Sequence, residues 1–282
     1  MSMSARRKKQ LAVFMNYLVL VAWVAICLVP PTLLLAAAFQ PTAIFRAPHE
    51  LFALSTVTLE NFRVVLSRGN FVHFLWNSVI ITVLAVLLSL LVSAPLAYGL
   101  TKLRPRPRGA ISFGLMSLRF LPYVALALPM YLFLLNFGLT GTRMGLLLGH
   151  LTMHLPFATW LLVGFFASVP NEVEEAAIID GCSPFGLFWS VALPMVVPGI
   201  FAAMILLFVM SWNEFLFAFF LGGYQAQPLT VGISRFVGGG ETVAQYGVIA
   251  AYGSLIIAPV IVFALIANRW IVSGMTAGAV KG

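Results

Sequence analysis

Residues Glu172 to Pro194 read EVEEAAIIDGCSPFGLFWSVALP, and they lie between apolar runs long enough to live in lipid. Three glutamates and an aspartate fall in the first nine positions, with no lysine or arginine in the stretch. Local rules predict two short helices about a bend. Pro170 ends the preceding segment, Asn171 can act as N-cap, and Glu174 completes a capping-box-like arrangement three residues on. Glu172, Glu174 and Glu175 occupy the first turn, where the helix dipole favours negative charge. Gly181 stands where a helix would end, and Ser183 with Pro184 restarts a second one as cap and first helical residue. That second helix, Phe185 to Trp189, is apolar and is expected to stop at Leu193-Pro194 as the next span begins. Ala176, Ala177 and Gly181 give a surface that another backbone can approach closely. Two readings stay open: a solvated loop whose acids merely cap a helix, or a docking surface for another protein.

The rest of the chain places this insert in a membrane protein. Of 282 residues, 61% are hydrophobic and only 9% charged, with a mean hydropathy of +1.03. A soluble domain carries roughly a quarter charged residues, so a cytosolic enzyme is excluded. Six runs can each cross about 30 Å of hydrocarbon as a helix: 11–39, 77–100, 111–137, 144–167, 193–221 and 246–271. The expected fold is therefore an all-α integral membrane protein with six transmembrane helices, since an unpaired backbone is too costly in lipid.

The net charge of +8 does not form a nucleic-acid stripe, because the basic residues gather in short clusters beside apolar runs. Arg6 to Lys9, Lys102, Arg104, Arg106, Arg108, Arg269 and Lys281 share one side, ten basic residues against five on the other. By the positive-inside rule both termini face the cytoplasm, and so does the acidic insert. The chain divides into a basic N-terminus (1–10), a transmembrane domain (11–272) containing the loop 170–192, and a tail (273–282). The basic start followed by an apolar run resembles a signal peptide, but the run is too long and more spans follow, so it reads as an uncleaved first span. Cys27 and Cys182 lie at different depths and form no disulfide framework. In the first external loop, TLENFRVVLSRG predicts a short interfacial helix, with Thr58 as N-cap and Phe62, Val65 and Leu66 on one face. The stretch from Gly222 to Gln245, with Gly238-Gly239-Gly240, reads as a mobile loop.

A few polar residues fall inside the runs. Glu214 lies near the outer end of the fifth, where a charge at mid-bilayer costs at least ~2.5 kcal/mol, so it should face protein or water. With Ser211 and Asn213 it is a candidate lining of a solute pathway or gate; a structural hydrogen bond to a neighbouring helix serves equally. Arg119, a few turns into the third run, either pairs with an acid in the bundle or snorkels to the interface, and snorkelling is the expected outcome. His150 and His154 share a helical face at a spacing that can hold zinc, but no third ligand accompanies them. Buried polar residues between helices are expected there, and no metal site. Neither a GxxxxGK[ST] stretch nor an HExxH nor a Gly-x-Ser-x-Gly occurs, so any energy from ATP must come from another subunit and an intramembrane enzyme has no credible catalytic pair.

One resemblance unites these features. Glu175-Ala176-Ala177, three residues, Gly181, nine residues, then Val191-Ala192-Leu193-Pro194 closely resembles the EAA motif of ABC importer permeases. Pro122 and Pro129, Trp212-Asn213-Glu214-Phe215, and the closing TAGAVKG look like carbohydrate-importer permeases of the MalG-like type, with Cys182 standing where alanine is usual. The resemblance implies a type I ABC importer permease fold in a bacterial inner membrane. Its bent insert would be a cytoplasmic coupling helix seated on an ATPase, with Glu174, Glu175, Ala176, Ala177, Asp180, Gly181, Leu193 and Pro194 as the coupling residues. It further implies a second, MalF-like permease, two ABC ATPase subunits that bind ATP and Mg, and an extracytoplasmic solute-binding protein. The solute would be a sugar, oligosaccharide, polyol or glycerol-phosphate. The alternative is an ion-coupled secondary transporter acting alone, which would call for several intramembrane acids where Glu214 stands alone.

Overall fold

Apolar composition without strand-like alternation forces helices, and helices make up the computed structural model, which describes residues 3–41, 52–68, 70–236 and 246–279. In chain order they are α1 (Met3–Ala38), α2 (Glu60–Arg68), α3 (Phe71–Thr101), α4 (Pro105–Ser117), α5 (Tyr123–Asn136) and α6 (Arg143–Phe166). There follow α7 (Asn171–Ile179), α8 (Pro184–Gly186), α9 (Leu193–Trp212), α10 (Leu216–Leu221), α11 (Leu229–Gly232) and α12 (Tyr246–Ala279). Among the described residues five helices are long and apolar enough to span, and a sixth crossing results if the bent pair of α4 and α5 counts as one.

The chain forms two compact units. The first holds residues 1–69 and 235–255. In it the buried Asn61 staples α2 to the end of α1, its Nδ2 donating to the carbonyls of Ala38 (2.9 Å) and Gln40 (2.8 Å). Thr58 Oγ1 accepts from the Glu60 amide at 3.1 Å, close to the expected cap. Val65 is buried and Phe62 meets the Phe39 ring at 4.9 Å, but Leu66 is 55% exposed, so the buried face of α2 is narrower than expected.

The second unit holds residues 70–234 and 256–282, built on α3, α6 and α9. Small residues let these helices approach: Ala94 and Ala97 of α3, Ala158 of α6 and Ala203 of α9 are all buried in one core with Leu162, Phe166 and Leu207. Lipid is as apolar as leucine, so close packing rather than water exclusion holds such helices together. Gly199 marks the tightest point, where a Cβ would fall 2.3 Å from the Phe165 ring.

Three expectations are corrected here. The third run is not one rod: a 3-10 turn, Leu118–Phe120, ends α4 and the chain bends by 91° before α5. Pro122 imposes the break, since the residue before a proline is driven out of helical geometry, and Leu121 is extended at φ −69°, ψ 127°. Second, no helix stops at Leu193-Pro194. From Pro184 to Trp212 the chain is one span, carried past Pro194 by a π-helical stretch, Leu187–Ala192, in which the Leu193 amide bonds to Phe188 O. A proline cannot donate and crowds the carbonyl four residues back, and the wider turn accommodates both demands. The same run breaks instead at Asn213, and α10 follows as a separate turn. Third, Gly222 to Phe236 is no loose loop. Ala226, Leu229 and Val231 are buried, Ser78 Oγ accepts from the Leu229 amide at 2.8 Å, and Asn77 Nδ2 donates to the carbonyls of Gln225 (2.9 Å) and Gln227 (2.8 Å). Gly238, Gly239 and Gly240 lie outside the described residues.

Candidate functional site: a charged elbow and a buried polar cluster

Between α6 and α9 the predicted bend forms, and its hinge is a Schellman motif. Gly181 adopts φ +84°, its amide bonds to Ile178 O and the Cys182 amide to Ala177 O, each at 2.9 Å, the paired bonds that terminate a helix at a left-handed residue. Ser183 Oγ accepts from the Gly186 amide at 3.1 Å and Pro184 opens the next turn, both as expected. The N-terminal cap differs. Pro170, extended at ψ 133°, holds the cap position with no side-chain bond, and Asn171 is the first helical residue.

The coupling residues drawn from the sequence divide into distinct groups. Glu174 forms an ion pair with Lys102, the residue just after α3, and the Lys102 ammonium lies 4.4 Å from the centre of the Tyr98 ring. Glu174 therefore ties the elbow to α3. Glu175, Ala176, Asp180 and Gly181 are exposed and Ala177 is half-buried. Leu193 packs against the core beside Ala192, and Pro194 stands at the surface of the rod, so this pair lies outside the bend itself. A Cβ on Gly181 would meet nothing within 4 Å, so its glycine serves the turn rather than any close approach within the chain.

What the acidic pattern concealed is the apolar half of the surface. Ile179 is 86% exposed and Phe185 74%, flanking the Gly181 turn, with Ile178 at 55%. Beside them Glu172, Glu175 and Asp180 stand exposed with no ion-pair partner among the described residues. Behind them Leu187 and Phe188 are buried, fixing the elbow onto the bundle. Exposed bulky apolar groups beside acids without a described ion-pair partner have the mixed composition of a protein-docking surface. Their position next to the motif was the only signal in the sequence, since apolar residues in an apolar chain attract no notice.

The second assembly lies where α9 breaks. Glu214 is buried, and its carboxylate accepts from the amides of Phe217 (2.8 Å) and Ala218 (2.9 Å), capping α10. Thr230 Oγ1 donates to Glu214 O at 2.7 Å. His150 bridges this joint to α3: its Nδ1 lies 2.8 Å from Ser211 Oγ, its Nε2 4.0 Å from Glu214 Oε2, and Ser211 lies 3.4 Å from Thr82 Oγ1. Ser211 and Glu214 are thus brought together, whereas Asn213 is exposed and donates back to Val209 O at 2.8 Å. His154 is fully buried, its ring 5.7 Å from that of His150, and among the described residues no group of three metal-binding side chains converges. Arg119 meets no acid among the described residues; its guanidinium lies 4.5 Å from the centre of the Phe157 ring on α6 and 3.6 Å from Met210 Sδ on α9.

Comparison with known proteins then bears on both assemblies. The family model described as binding-protein-dependent transport system inner membrane component matches residues 93–276, which include the elbow and the broken end of α9. The trehalose transport system permease protein SugB of Mycobacterium tuberculosis is 36% identical over 230 residues, covering 81% of this chain and 84% of that protein. The trehalose/maltose transport system permease protein MalG of Thermococcus litoralis is 33% identical over 229 residues, 80% of this chain and 82% of that protein. Among solved structures, a bacterial ABC transporter that imports the acidic polysaccharide alginate contains a chain matching at a TM-score of 0.79 and 22% identity. The match covers 93% of this chain and 97% of that one.

Proposed function

We propose a function from one premise: the chain belongs to the family of binding-protein-dependent transport system inner membrane components. It is a multi-pass permease subunit of an ABC importer, non-catalytic in itself, and membership removes the self-sufficient secondary transporter as a reading. In this proposal the solute is a carbohydrate, the class named for SugB and the Thermococcus MalG. A second permease of MalF-like type completes the path, an extracytoplasmic binding protein delivers the solute, and two cytoplasmic ATPase subunits bind ATP and Mg. In the same proposal both termini and the elbow face the cytoplasm, which the distribution of basic residues supports.

The elbow carries the reading. Its exposed Ile179 and Phe185, ringed by Glu172, Glu175 and Asp180, fit a groove on an ATPase with an apolar floor and basic rim. Glu174 and the buried Phe188 pass displacement inward, one to α3 and the other to the core of α3, α6 and α9. Because α8, the π stretch and α9 form a single rod, a push on the elbow reaches the far end of that rod, where Glu214 and Ser211 hold the broken joint. We assign Ser211 and Glu214 to that joint as parts of an outer gate, with exposed Asn213 at its rim.

The test is a charge reversal at the docking face. In proteoliposomes containing the assembled importer, Glu175→Lys combined with Gly181→Arg should abolish the stimulation of ATP hydrolysis by the binding protein. Permease content in the membrane should stay at the wild-type level. Undiminished stimulation in that variant would remove the coupling role.

A further inference from the structure

Arg119 carries a charge that no carboxylate among the described residues answers. It stands in the 3-10 turn Leu118–Phe120, at the 91° bend between α4 and α5. Its neighbours are the Phe157 ring, with the guanidinium carbon 4.5 Å from the centroid, and Met210 Sδ, 3.6 Å from Nη1. Among the described residues no carboxylate lies within ion-pairing distance of it. A guanidinium has five N–H donors and a thioether is a weak acceptor, so nearly all of its donor capacity is unspent among the described residues.

The depth of this charge is read from α6. Phe157 lies nine residues before the helix ends at Phe166, roughly 13 Å, and fourteen residues after it starts at Arg143, roughly 21 Å, at the helical rise. Arg119 is thus set near the middle of a spanning helix, where an ionised side chain is expensive and marks a pathway or a partner. Two further observations fall at the same place. Backbone that leaves helical geometry at membrane depth is tolerated only where protein or water covers it, and Leu121 and Pro122 are both extended there. One turn before Phe157, the fully buried His154 has neither ring nitrogen hydrogen-bonded among the described residues. A broken span with unspent polar groups is how membrane carriers assemble solute sites from discontinuous helices.

We infer that Arg119 is a solute contact of this chain. Its half-buried guanidinium offers donors to the oxygen atoms of a carbohydrate passing the break, with the face of Phe157 beneath the same group. Hydroxyls of a neutral sugar and carboxylates of an acidic one are both acceptors of the kind it lacks. The solute class rests on the importer reading above, whereas a cation with no described carboxylate beside it, at a broken span, does not.

The experiment keeps those two apart. The complete importer, with Cys27→Ser and Cys182→Ser, carries Met210→Cys to place a thiol beside Arg119, and is treated with two water-soluble thiosulfonates, one bearing a sulfonate and one a trimethylammonium. With each rate normalised to that reagent's reaction with a free thiol in water, the sulfonate reagent should react about tenfold faster than the cationic one, an enhancement of the size that local fields impose on charged encounters. Adding Arg119→Gln should bring the ratio to about one, and trapping with ATP and vanadate should change both rates together. Failure of either reagent to reach the thiol in any nucleotide state would overturn the inference, as would a sulfonate preference that survives Arg119→Gln. A preference that depends on Arg119 but ignores nucleotide would uphold the contact and count against the ATP-driven reading instead.

Discussion

Gly181 and Gly199 show why glycine can be required for opposite reasons. At Gly181 the space is empty and the backbone is the constraint: φ is +84° and a Cβ would touch nothing. Gly181→Ala should therefore cost only the left-handed penalty, about 1–2 kcal/mol, leaving the bundle intact while loosening the elbow. Purified with its partners, that variant should retain the melting temperature of the permease but lose part of its bound ATPase. At Gly199 the backbone is ordinary helix and the space is full, because the Phe165 ring lies 2.3 Å from where the Cβ would be. Gly199→Ala should force α6 and α9 apart and lower the melting temperature of the solubilised complex, an overpacking cost of about 1–3 kcal/mol. A Gly199→Ala protein that melts like wild type, with Gly181→Ala the less stable, would reverse the assignment. The pair Lys102 and Glu174 behaves differently again. Lys102 is 45% exposed, so water screens the bond, which contributes about 0.2–1 kcal/mol. Its use is positional.

The elements divide sharply by how much of them could be read in advance. The elbow was legible because its signals are local: a glycine at the left-handed position, then serine and proline to restart a helix, each acting on its own few residues. The break after α9 was not, because Glu214 acts there as a cap. In the sequence it is one acid in an apolar run, indistinguishable from a pathway residue until the amides of Phe217 and Ala218 are seen pointing at its carboxylate. The π stretch before Pro194 was hidden for a related reason: proline announces a stop, and only the helix packed around it decides whether to widen instead. The contacts of Arg119 with Phe157 and Met210 were hidden because sequence gives position along a run but not the 91° bend that turns the run aside. The cap makes a prediction. Glu214→Ala leaves two buried amides unpaired, at about 1–3 kcal/mol each, and should detach α10 from the end of the rod. Glu214→Gln keeps one acceptor oxygen and should retain part of the function. Transport by the two variants, normalised to membrane content, should rank wild type, then Gln, then Ala. Equal loss in both would mean that the negative charge itself, rather than the cap, is what matters.

In the proposed coupling, force enters the molecule at the elbow and leaves at the far end of the rod, and the composition of the elbow sets how the entry would be made. Its surface has two components with different physics. Exposed Glu172, Glu175 and Asp180 act through charge, which reaches about 8–10 Å at physiological salt and shortens as salt rises. Ile179 and Phe185 act only on contact, through area withdrawn from water at roughly 25 cal/mol per Å². The acids should therefore govern how fast the ATPase finds the elbow, and the apolar pair how long it stays. Binding of isolated ATPase to the permease in nanodiscs separates the two. Asp180→Asn should lower the association rate several-fold at low salt, with the deficit closing near 0.5 M salt and dissociation little changed. Phe185→Ala should instead speed dissociation by about tenfold or more at every salt concentration, the loss of one deeply seated anchor. If Phe185→Ala were neutral, the seat would be electrostatic alone, and an elbow held only by screened charges could not transmit the closing stroke of an ATPase without slipping. A firm apolar anchor is what the proposed stroke along the span from Pro184 to Trp212 would need at its elbow end.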